Sequence, residues 1–200
     1  MKPVIGIIMR DYYSKIGHKI KYTYNDIENA IIKSGGIPIG IPNNDIIPYL
    51  NICHGFILQG GDNIDNNDLK LIRVLHEKNI PLLGICLGMQ EMGIVFDGKE
   101  TKVNNHINND YHEVNIDKNS LLYRILNTKK ILVNSRHRST IYNTKLNISA
   151  ISIDNTVEAI EDTTKKFFLG LEWHPENMYT YDLNARKIFD YFIKVCNDKK

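Results

Sequence analysis

One cysteine of the chain stands in a pattern that suits a nucleophile. Cys86 lies between two glycines in Gly84-Ile85-Cys86-Leu87-Gly88, directly after an apolar run and at the start of a helical pattern. This is the form of a nucleophile elbow, a sharp strand-to-helix turn whose glycines let the backbone pass close to its neighbours. The positive end of a helix dipole favours the reactive thiolate. Taken alone, the pattern fits a buried structural cysteine about as well as a catalytic one.

A thiolate nucleophile needs a base that can also protonate the leaving group, and the base needs a carboxylate to orient it. Among the seven histidines, His174 is the best candidate, because it follows an apolar run and precedes Pro175 and Glu176. Residues two apart in extended backbone point to the same side, so Glu176 can orient the imidazole. His76 falls among charged residues of a predicted helix and is interpreted as a surface residue. Cys86, His174 and Glu176 therefore predict a Cys-His-Glu triad.

Two further positions follow predicted strands, where open α/β sheets bind ligands. Gly60 and Gly61 come directly after one strand, and paired glycines there either aim backbone N–H groups at an oxyanion or close a simple tight turn. The residues alone leave both interpretations open. Arg10 follows the first strand and is a candidate for binding an anion.

Length, charge and cysteine content exclude several classes of protein. Two hundred residues suit one domain, expected to span 1–200, and a net charge of +2 gives no reason to expect nucleic acid or a membrane as partner. Three widely separated cysteines argue against a disulfide framework and a structural zinc site, and Cys53 and Cys196 are interpreted as core residues. The start of the chain does not resemble a signal peptide. We therefore expect a cytoplasmic protein without a metal or another cofactor.

Apolar runs alternate with helical patterns in the first half of the chain, which predicts βαβ units around a parallel sheet. Strands are expected at residues 4–9, 37–41, 55–58 and 82–85, and helices after a Thr23-x-x-Asp26 capping box, from about residue 67, and at 182–196. Loops are expected at residues 11–21 and 97–110. Further runs near residues 113–116, 149–153, 156–160 and 167–171 predict an antiparallel extension of the sheet.

With these motifs in place, the chain resembles the class I glutamine amidotransferase domains. The resemblance rests on Gly84-Ile85-Cys86-Leu87-Gly88-Met89-Gln90 and on Trp173-His174-Pro175-Glu176. The chain also resembles the stand-alone γ-glutamyl hydrolases of the peptidase C26 group, on the motifs Gly60-Gly61-Asp62 and Asn134-Ser135-x-His137. The resemblance implies a flavodoxin-like three-layer sandwich, with helices on both faces of a mostly parallel sheet and a smaller antiparallel extension. It also implies hydrolysis of a γ-glutamyl amide through a cysteine thioester.

The family's functional residues carry over by position. The resemblance implies Cys86 as the nucleophile, His174 as the acid and base, and Glu176 as the orienting carboxylate. It implies an oxyanion hole made by backbone N–H groups of Leu87 and of Gly60 or Gly61. Gln90 and the segment Ser135, Arg136, His137 and Arg138 are implied to hold the substrate, with the backbone near Ser135 and His137 at the glutamyl end.

The chain departs from the family at one informative place. γ-Glutamyl hydrolases of aliphatic amines commonly carry Asn-Ser-x-His-x-Gln, whereas Arg136 and Arg138 flank His137 here. Arginine suits phosphate oxygens, so these two residues and Arg10 either bind an anionic leaving group or lie in solvent. The chain resembles the γ-glutamyl-CDP-amidate hydrolases of capsule phosphoramidate biosynthesis. This implies a small nucleotide-bearing substrate, release of L-glutamate and cytidine diphosphoramidate, and no obligatory synthetase partner.

Three other functions remain open. An ammonia-supplying component of a synthetase would show glutaminase activity that rises with its partner. A hydrolase for an aliphatic γ-glutamyl amine, such as γ-glutamyl-aminobutyrate, would prefer that amine to a nucleotide. A binding module without catalysis is disfavoured because Cys86, His174 and Glu176 are all present.

Overall fold

The computed structural model describes residues 1–104, 106–107 and 111–198 of the chain. The strands are β1 Val4–Ile8, β2 Arg10–Tyr13, β3 Lys19–Tyr22, β4 Ile37–Ile41, β5 Gly55–Leu58, β6 Leu82–Ile85, β7 Lys99–Lys102, β8 His112–Ile116, β9 Lys130–Val133, β10 Ser139–Tyr142, β11 Asn147–Ser152, β12 Val157–Glu161 and β13 Phe168–Leu171. The helices are α1 Asn25–Lys33, α2 Asn66–Glu77, α3 Leu87–Val95, α4 Leu121–Leu126, α5 Pro175–Met178 and α6 Leu183–Asn197, with a short 3₁₀ turn at Ile47–Tyr49.

A central sheet of nine strands, counted over these described residues, has the order β4-β1-β5-β6-β13-β12-β11-β8-β9. The first five strands in that order are parallel, and the remaining four run antiparallel to their neighbours. The predicted mixture of a parallel sheet and an antiparallel extension is therefore confirmed. Two short ribbons, β2–β3 and β7–β10, lie outside the central sheet.

The apolar runs form the central strands because helices cover both faces of the sheet. Along β5, Ile57 joins one buried cluster, which includes α1 and α6, whereas Phe56 and Leu58 join another, which includes α2 and α3. Successive side chains of a strand point to opposite faces, so the two clusters lie on opposite sides. The result is three layers. The longest helix of the described residues, α6, has 15 residues, and none of these helices has the length and hydropathy of a membrane span.

The parallel register brings three carboxyl ends to one edge of the sheet. β5, β6 and β13 are neighbours, with Leu58 opposite Gly84 and Leu171 opposite Ile85. The residues that follow these strands, Gly60 to Gly61, Cys86 and His174, therefore leave the sheet side by side. This is the edge at which open α/β sheets bind ligands.

Three local expectations were wrong. Residues 11–21 contain a hairpin, β2–β3, and the predicted loop at 97–110 contains β7, which pairs with β10; residues 105 and 108–110 lie outside the described residues. The β2–β3 ribbon exposes most of its residues, so no buried face imposes an apolar alternation on its sequence. β7 is also mostly exposed, and the buried residues of its ribbon lie on β10. Helix α1 has Tyr24 rather than Thr23 as its N-cap, and the Thr23 hydroxyl bonds the Glu28 carboxylate instead.

Candidate active site

Cys86 lies at a strained turn between β6 and α3. Its backbone has φ 52° and ψ −110°, a left-handed conformation that is costly for a residue with a side chain. Gly88 permits the turn, because a Cβ there would collide with the Leu58 backbone. The Cys86 amide donates to the Leu171 carbonyl at 2.7 Å and ties the turn to β13. The backbone is that of the elbow predicted from the sequence.

His174 and Glu176 form a close pair beside this turn. Nδ1 of His174 lies 2.6 Å from Oε1 of Glu176, and both side chains are largely buried. The predicted pairing is present, but the expected reason for it was wrong. Glu176 lies in the first turn of α5, whose N-cap is His174, and not in extended backbone. The helix start folds the carboxylate back towards the ring.

The electrostatic setting of His174 favours its protonated form. Burial alone lowers the pKa of His174, but the Glu176 carboxylate and a hydrogen bond with the Cys86 side chain more than offset this and raise it to about 10. Since Nδ1 faces Glu176, the other ring nitrogen is left to act on Cys86. The imidazole therefore lies between a carboxylate and a thiol, which is the order of a catalytic triad.

Asn134, directly after β9, holds the backbone of His174 from two sides. Its Oδ1 accepts from the His174 amide at 2.8 Å, and its Nδ2 donates to the His174 carbonyl at 3.0 Å. This positioning role was not predicted for Asn134. The residue stood beside a predicted substrate-binding segment, but nothing in the sequence indicated that it would pair with position 174.

The predicted oxyanion-hole residues meet at Cys86. A Cβ added to Gly60 would lie 3.0 Å from Cε1 of His174 and 3.7 Å from Cβ of Cys86, and one added to Gly61 would lie 2.9 Å from Cδ2 of Leu87. The absence of side chains on these glycines thus leaves space directly beside the thiol and the imidazole. Leu87, as the first residue of α3, turns its amide towards the start of that helix, where N–H groups lack helical partners.

Arg10 is placed where it supports this loop. Its guanidinium is buried, donates to the carbonyls of Gln59 (2.7 Å) and Gly60 (3.3 Å), and pairs with Asp68 and with Glu91 at 3.0 Å. Two buried carboxylates and two carbonyls occupy its donors. This environment does not favour the predicted contact between Arg10 and an anionic leaving group. It indicates that Arg10 fixes the position of Gly60.

Gln90 and Glu172 form a second buried pair near Cys86. Nε2 of Gln90 donates to Oε1 of Glu172 at 2.6 Å and to the Ser139 carbonyl at 2.9 Å. Glu172 is fully buried, and burial, followed by the nearby Cys86, raises the pKa of its carboxyl well above its usual value. Glu172 was not predicted as a site residue. Its position at the end of β13, directly before Trp173 and His174, was the available signal.

The segment after β9 divides between the interior and the surface. Ser135 and His137 are buried, and the Nδ1 of His137 donates to the Ser139 carbonyl at 3.0 Å. Burial lowers the pKa of His137 to about 3, so the ring is neutral at physiological pH. Arg136 and Arg138 are exposed. Both arginines therefore lie at the surface, next in sequence to the buried His137.

Cys53 and Cys196 are buried in apolar clusters, as predicted. His76 is not a free surface residue: its Nε2 lies 2.8 Å from the Asp162 carboxylate, and its ring packs against Phe96 and Phe168.

Comparisons with known proteins agree with this architecture. A profile of the peptidase C26 family matches residues 65–176. The chain is 29% identical over 242 residues to the γ-glutamyl-γ-aminobutyrate hydrolase PuuD of Escherichia coli K12, covering 97% of this chain and 93% of that protein. It is 27% identical over 192 residues to one component of the glutamine-hydrolyzing GMP synthase of Methanothrix thermoacetophila, covering 95% of this chain and 98% of that protein.

One solved structure shows the fold. The glutaminase domain of Trypanosoma brucei CTPS, with bound acivicin, superimposes with a TM-score of 0.76 at 17% identity, covering 99% of this chain and 95% of that one. The flavodoxin-like α/β fold expected from the resemblance is thereby confirmed.

Proposed function

Because the chain belongs to the peptidase C26 family, we propose that it hydrolyses γ-glutamyl amides through a thioester on Cys86. One observation carries this proposal: Nδ1 of His174 lies 2.6 Å from the Glu176 carboxylate, and the His174 ring and the Cys86 side chain both border Gly60. A nucleophile, a proton carrier and an orienting carboxylate in that order suit acyl transfer.

In the first half of the reaction, the Cys86 sulfur attacks the γ-carbonyl carbon of the substrate. The negative charge that develops on the carbonyl oxygen is stabilised by the backbone N–H groups of Leu87 and of Gly60 or Gly61. Loss of one such donor typically costs about 10²–10³ in rate. Protonated His174 then gives its proton to the departing nitrogen as the C–N bond breaks. The products are a free amine or amide and a γ-glutamyl thioester.

In the second half, water attacks the thioester and His174 takes its proton. Formation of the thioester removes the thiolate charge, one of the two charges that raise the pKa of His174. The ring can therefore release and accept protons in alternate steps. Breakdown of the tetrahedral intermediate releases L-glutamate and regenerates the Cys86 thiolate beside protonated His174. Glu176 and Asn134 keep the ring in place throughout.

The thioester can be tested directly. The full-length protein is mixed with γ-glutamyl amides, quenched in acid and examined by intact-mass spectrometry, and hydroxylamine is added to a second portion. We expect a glutamyl adduct on Cys86, conversion to the hydroxamate, and loss of both in Cys86→Ala. Cys53→Ala, which removes a buried thiol on the other apolar cluster, is the matched control and should retain both. Turnover in Cys86→Ala would refute the proposal.

For the leaving group, the proposal is cytidine diphosphoramidate, released from γ-glutamyl-CDP-amidate. Arg136 and Arg138 support it, because both are exposed beside Ser135 and His137, and a guanidinium binds phosphate oxygens in a fork. Loss of one charged hydrogen bond corresponds to roughly a 10-fold effect on binding. Arg136→Ala and Arg138→Ala should each raise KM for this substrate about 10-fold. Arg73→Ala, an exposed arginine on α2, is the control, and unchanged kinetics in both variants would exclude the contact.

A second leaving group, γ-aminobutyrate, is favoured by the similarity to PuuD over nearly the whole chain. The two substrates can be compared by kcat/KM in one assay, with glutamine as a third. If γ-glutamyl-γ-aminobutyrate is preferred and the arginine variants do not change the ratio, the amine is the substrate. A preference for glutamine would instead indicate an ammonia-supplying component of a synthetase, which is the role suggested by the GMP synthase relative.

A further inference from the structure

Three histidines surround one buried carboxylate outside the proposed triad. Oε1 of Glu158, on β12, lies 2.9 Å from Nε2 of His112, 3.6 Å from Nδ1 of His106 and 3.7 Å from Nε2 of His137. The four residues are separated by up to 52 positions in the chain (158 − 106). Glu158 is fully buried, and His106 and His137 are 3% and 2% exposed. We refer to these four residues as the His3Glu cluster.

The imidazoles of His106 and His137 are each held in orientation by a residue outside the cluster. In each ring, the contact is made by the nitrogen that faces away from Glu158. Nε2 of His106 lies 3.1 Å from the Asp154 carboxylate, and Nδ1 of His137 donates to the Ser139 carbonyl at 3.0 Å. A carboxylate or a carbonyl on the outer nitrogen is the usual environment of a histidine that ligates a metal, because it fixes the tautomer and the ring orientation.

The inner nitrogens of these two rings consequently present lone pairs to Glu158. Nδ1 of His106 lies 3.1 Å from the Ser135 hydroxyl oxygen and 3.6 Å from Oε1 of Glu158, and the same hydroxyl lies 3.0 Å from the His106 carbonyl. Nε2 of His137 and Oε2 of Glu158 have no hydrogen-bond partner within the described part of the chain. Lone pairs and carboxylate oxygens that face each other in a buried site repel unless a proton or a cation lies between them.

We propose that the His3Glu cluster binds one divalent transition-metal ion, with Zn²⁺ as the best fit. Three imidazole nitrogens and one carboxylate oxygen suit Zn²⁺, and four protein ligands at bond lengths near 2.0–2.1 Å lie about 3.3 Å apart in a tetrahedron. The distances from Oε1 of Glu158 to the three nitrogens, 2.9, 3.6 and 3.7 Å, bracket that value. Ligand atoms of His106, His112 and Glu158 all lie within 4.8 Å of one another. His137 lies outside that group, and its Nε2 completes the ligand set when the ion draws it towards Glu158 from 3.7 Å.

Four protein ligands leave no position for substrate, so this ion holds structure rather than reacting. It joins β8 and β12 to the segments that carry His106 and His137. The next residues along that last segment, Ser135 and Asn134, contact the loop of His106 and the backbone of His174. The ion would therefore fix the segment between the antiparallel strands and the Cys86 site. The proposal stands on this geometry and does not depend on the proposed hydrolase activity.

The test uses the full-length chain carrying Cys86→Ala, because the Cys86 thiolate beside His174 could itself bind a soft metal. The protein is stripped with a chelator and titrated with Co²⁺, followed by visible absorption, and then with Zn²⁺ by calorimetry. We expect one ion per chain, the intense visible bands of four-coordinate Co²⁺, their loss when Zn²⁺ displaces it, and a Tm that rises with Zn²⁺ concentration. Absence of the bands, of a Zn²⁺ isotherm and of a Tm shift would overturn the proposal.

Variants in the same background identify the ligands. Glu158→Gln and His106→Gln should weaken Zn²⁺ binding by at least about 100-fold, and Asp154→Asn, which alters a half-exposed partner of His106, by about 10–100-fold. His76→Gln is the matched control, since His76 also pairs with an aspartate but lies outside the cluster. Should the buried variants fail to fold, Asp154→Asn decides. Unchanged Zn²⁺ affinity in Asp154→Asn would place the ion elsewhere and refute the site.

Discussion

His174 and His137 are both buried histidines of the candidate site, yet they hold opposite charge states. The pKa of His174 is raised to about 10, whereas burial lowers that of His137 to about 3. The distance to a carboxylate separates them. His174 lies 2.6 Å from Glu176, and Nδ1 of His137 lies 3.6 Å from Glu172. Burial penalises the charged ring in both places, and only direct contact with a carboxylate offsets that penalty.

The carboxyls near His137 do not supply the negative charge that would raise its pKa. Burial raises the pKa of both Glu158 and Glu172, so their neutral forms are favoured there. The molecule thus contains a charged pair, His174 with Glu176, beside Cys86, and a neutral network next to it. The charged pair is therefore suited to move protons, while the neutral network is suited to hold substrate or a metal in place.

His174 and His137 should respond differently to the same substitution. His174→Gln removes the group that protonates the leaving nitrogen, so kcat should fall by about 10²–10⁴. His137→Gln removes a neutral buried ring, and we expect a rise in KM of about 10-fold with a much smaller change in kcat. Steady-state kinetics with a γ-glutamyl amide separates the two parameters. Equal losses of kcat in both variants would abolish the distinction between a charged pair and a neutral network.

Glu176→Gln should have a somewhat smaller effect on kcat. It removes the carboxylate charge beside His174 and so brings the charge state of that ring closer to the neutral state of His137. Without the carboxylate charge, the pKa of His174 falls, and the protonated ring no longer stabilises a thiolate at Cys86. We expect kcat to decrease by about 10²–10³ and alkylation of Cys86 by iodoacetamide at neutral pH to slow markedly. Glu113→Gln, at an exposed pair with Lys130, is the control. Unaltered alkylation in Glu176→Gln would show that the carboxylate only orients the ring.

The approach of His174 to Cys86 was predictable from the sequence, and the neutral network was not. Cys86 and His174 follow apolar strands, and parallel strands bring such residues to one edge. Glu158 and Glu172 lie within or directly after equally buried strands, where a carboxyl is not expected. Their partners are distant in sequence: Gln90 is 82 residues from Glu172. No local pattern could pair them.

The role of Arg10 shows the same limit. Its position after the first strand predicted exposure to ligand, but Asp68 on α2 and Glu91 on α3 enclose the guanidinium. Their approach depends on how two helices pack, which the sequence periodicity does not specify. The strands that line the ligand-binding edge were predictable, whereas the direction of individual polar side chains at that edge was not.

A third prediction uses the pH dependence of stability. Because the folded pKa of His174, about 10, exceeds the ordinary histidine value, the protonated ring stabilises the fold fully below about pH 6.5 and loses that effect as pH rises towards 10. The free energy of unfolding of the native protein should therefore fall between pH 7 and 10 by on the order of 2 kcal/mol more than that of His174→Gln. Urea titrations at each pH measure this. Parallel curves for the two proteins would contradict the charged state of His174.

The last prediction is a pH dependence of stability caused by Glu172, a member of the neutral network. Its raised pKa means that the folded protein holds a proton which the unfolded chain releases above about pH 4.5, so Glu172 lowers stability as pH rises. Glu172→Gln keeps a carbonyl oxygen for Gln90 Nε2 and carries no titrating proton. The free energy of unfolding of this variant, relative to that of the native protein, should therefore grow between about pH 5 and 8. Glu77→Gln, on the exposed face of α2, controls for loss of one carboxyl. If the difference in unfolding free energy between Glu172→Gln and the native protein stays constant with pH, the carboxyl is already charged in the folded state, and the network beside His137 is not neutral.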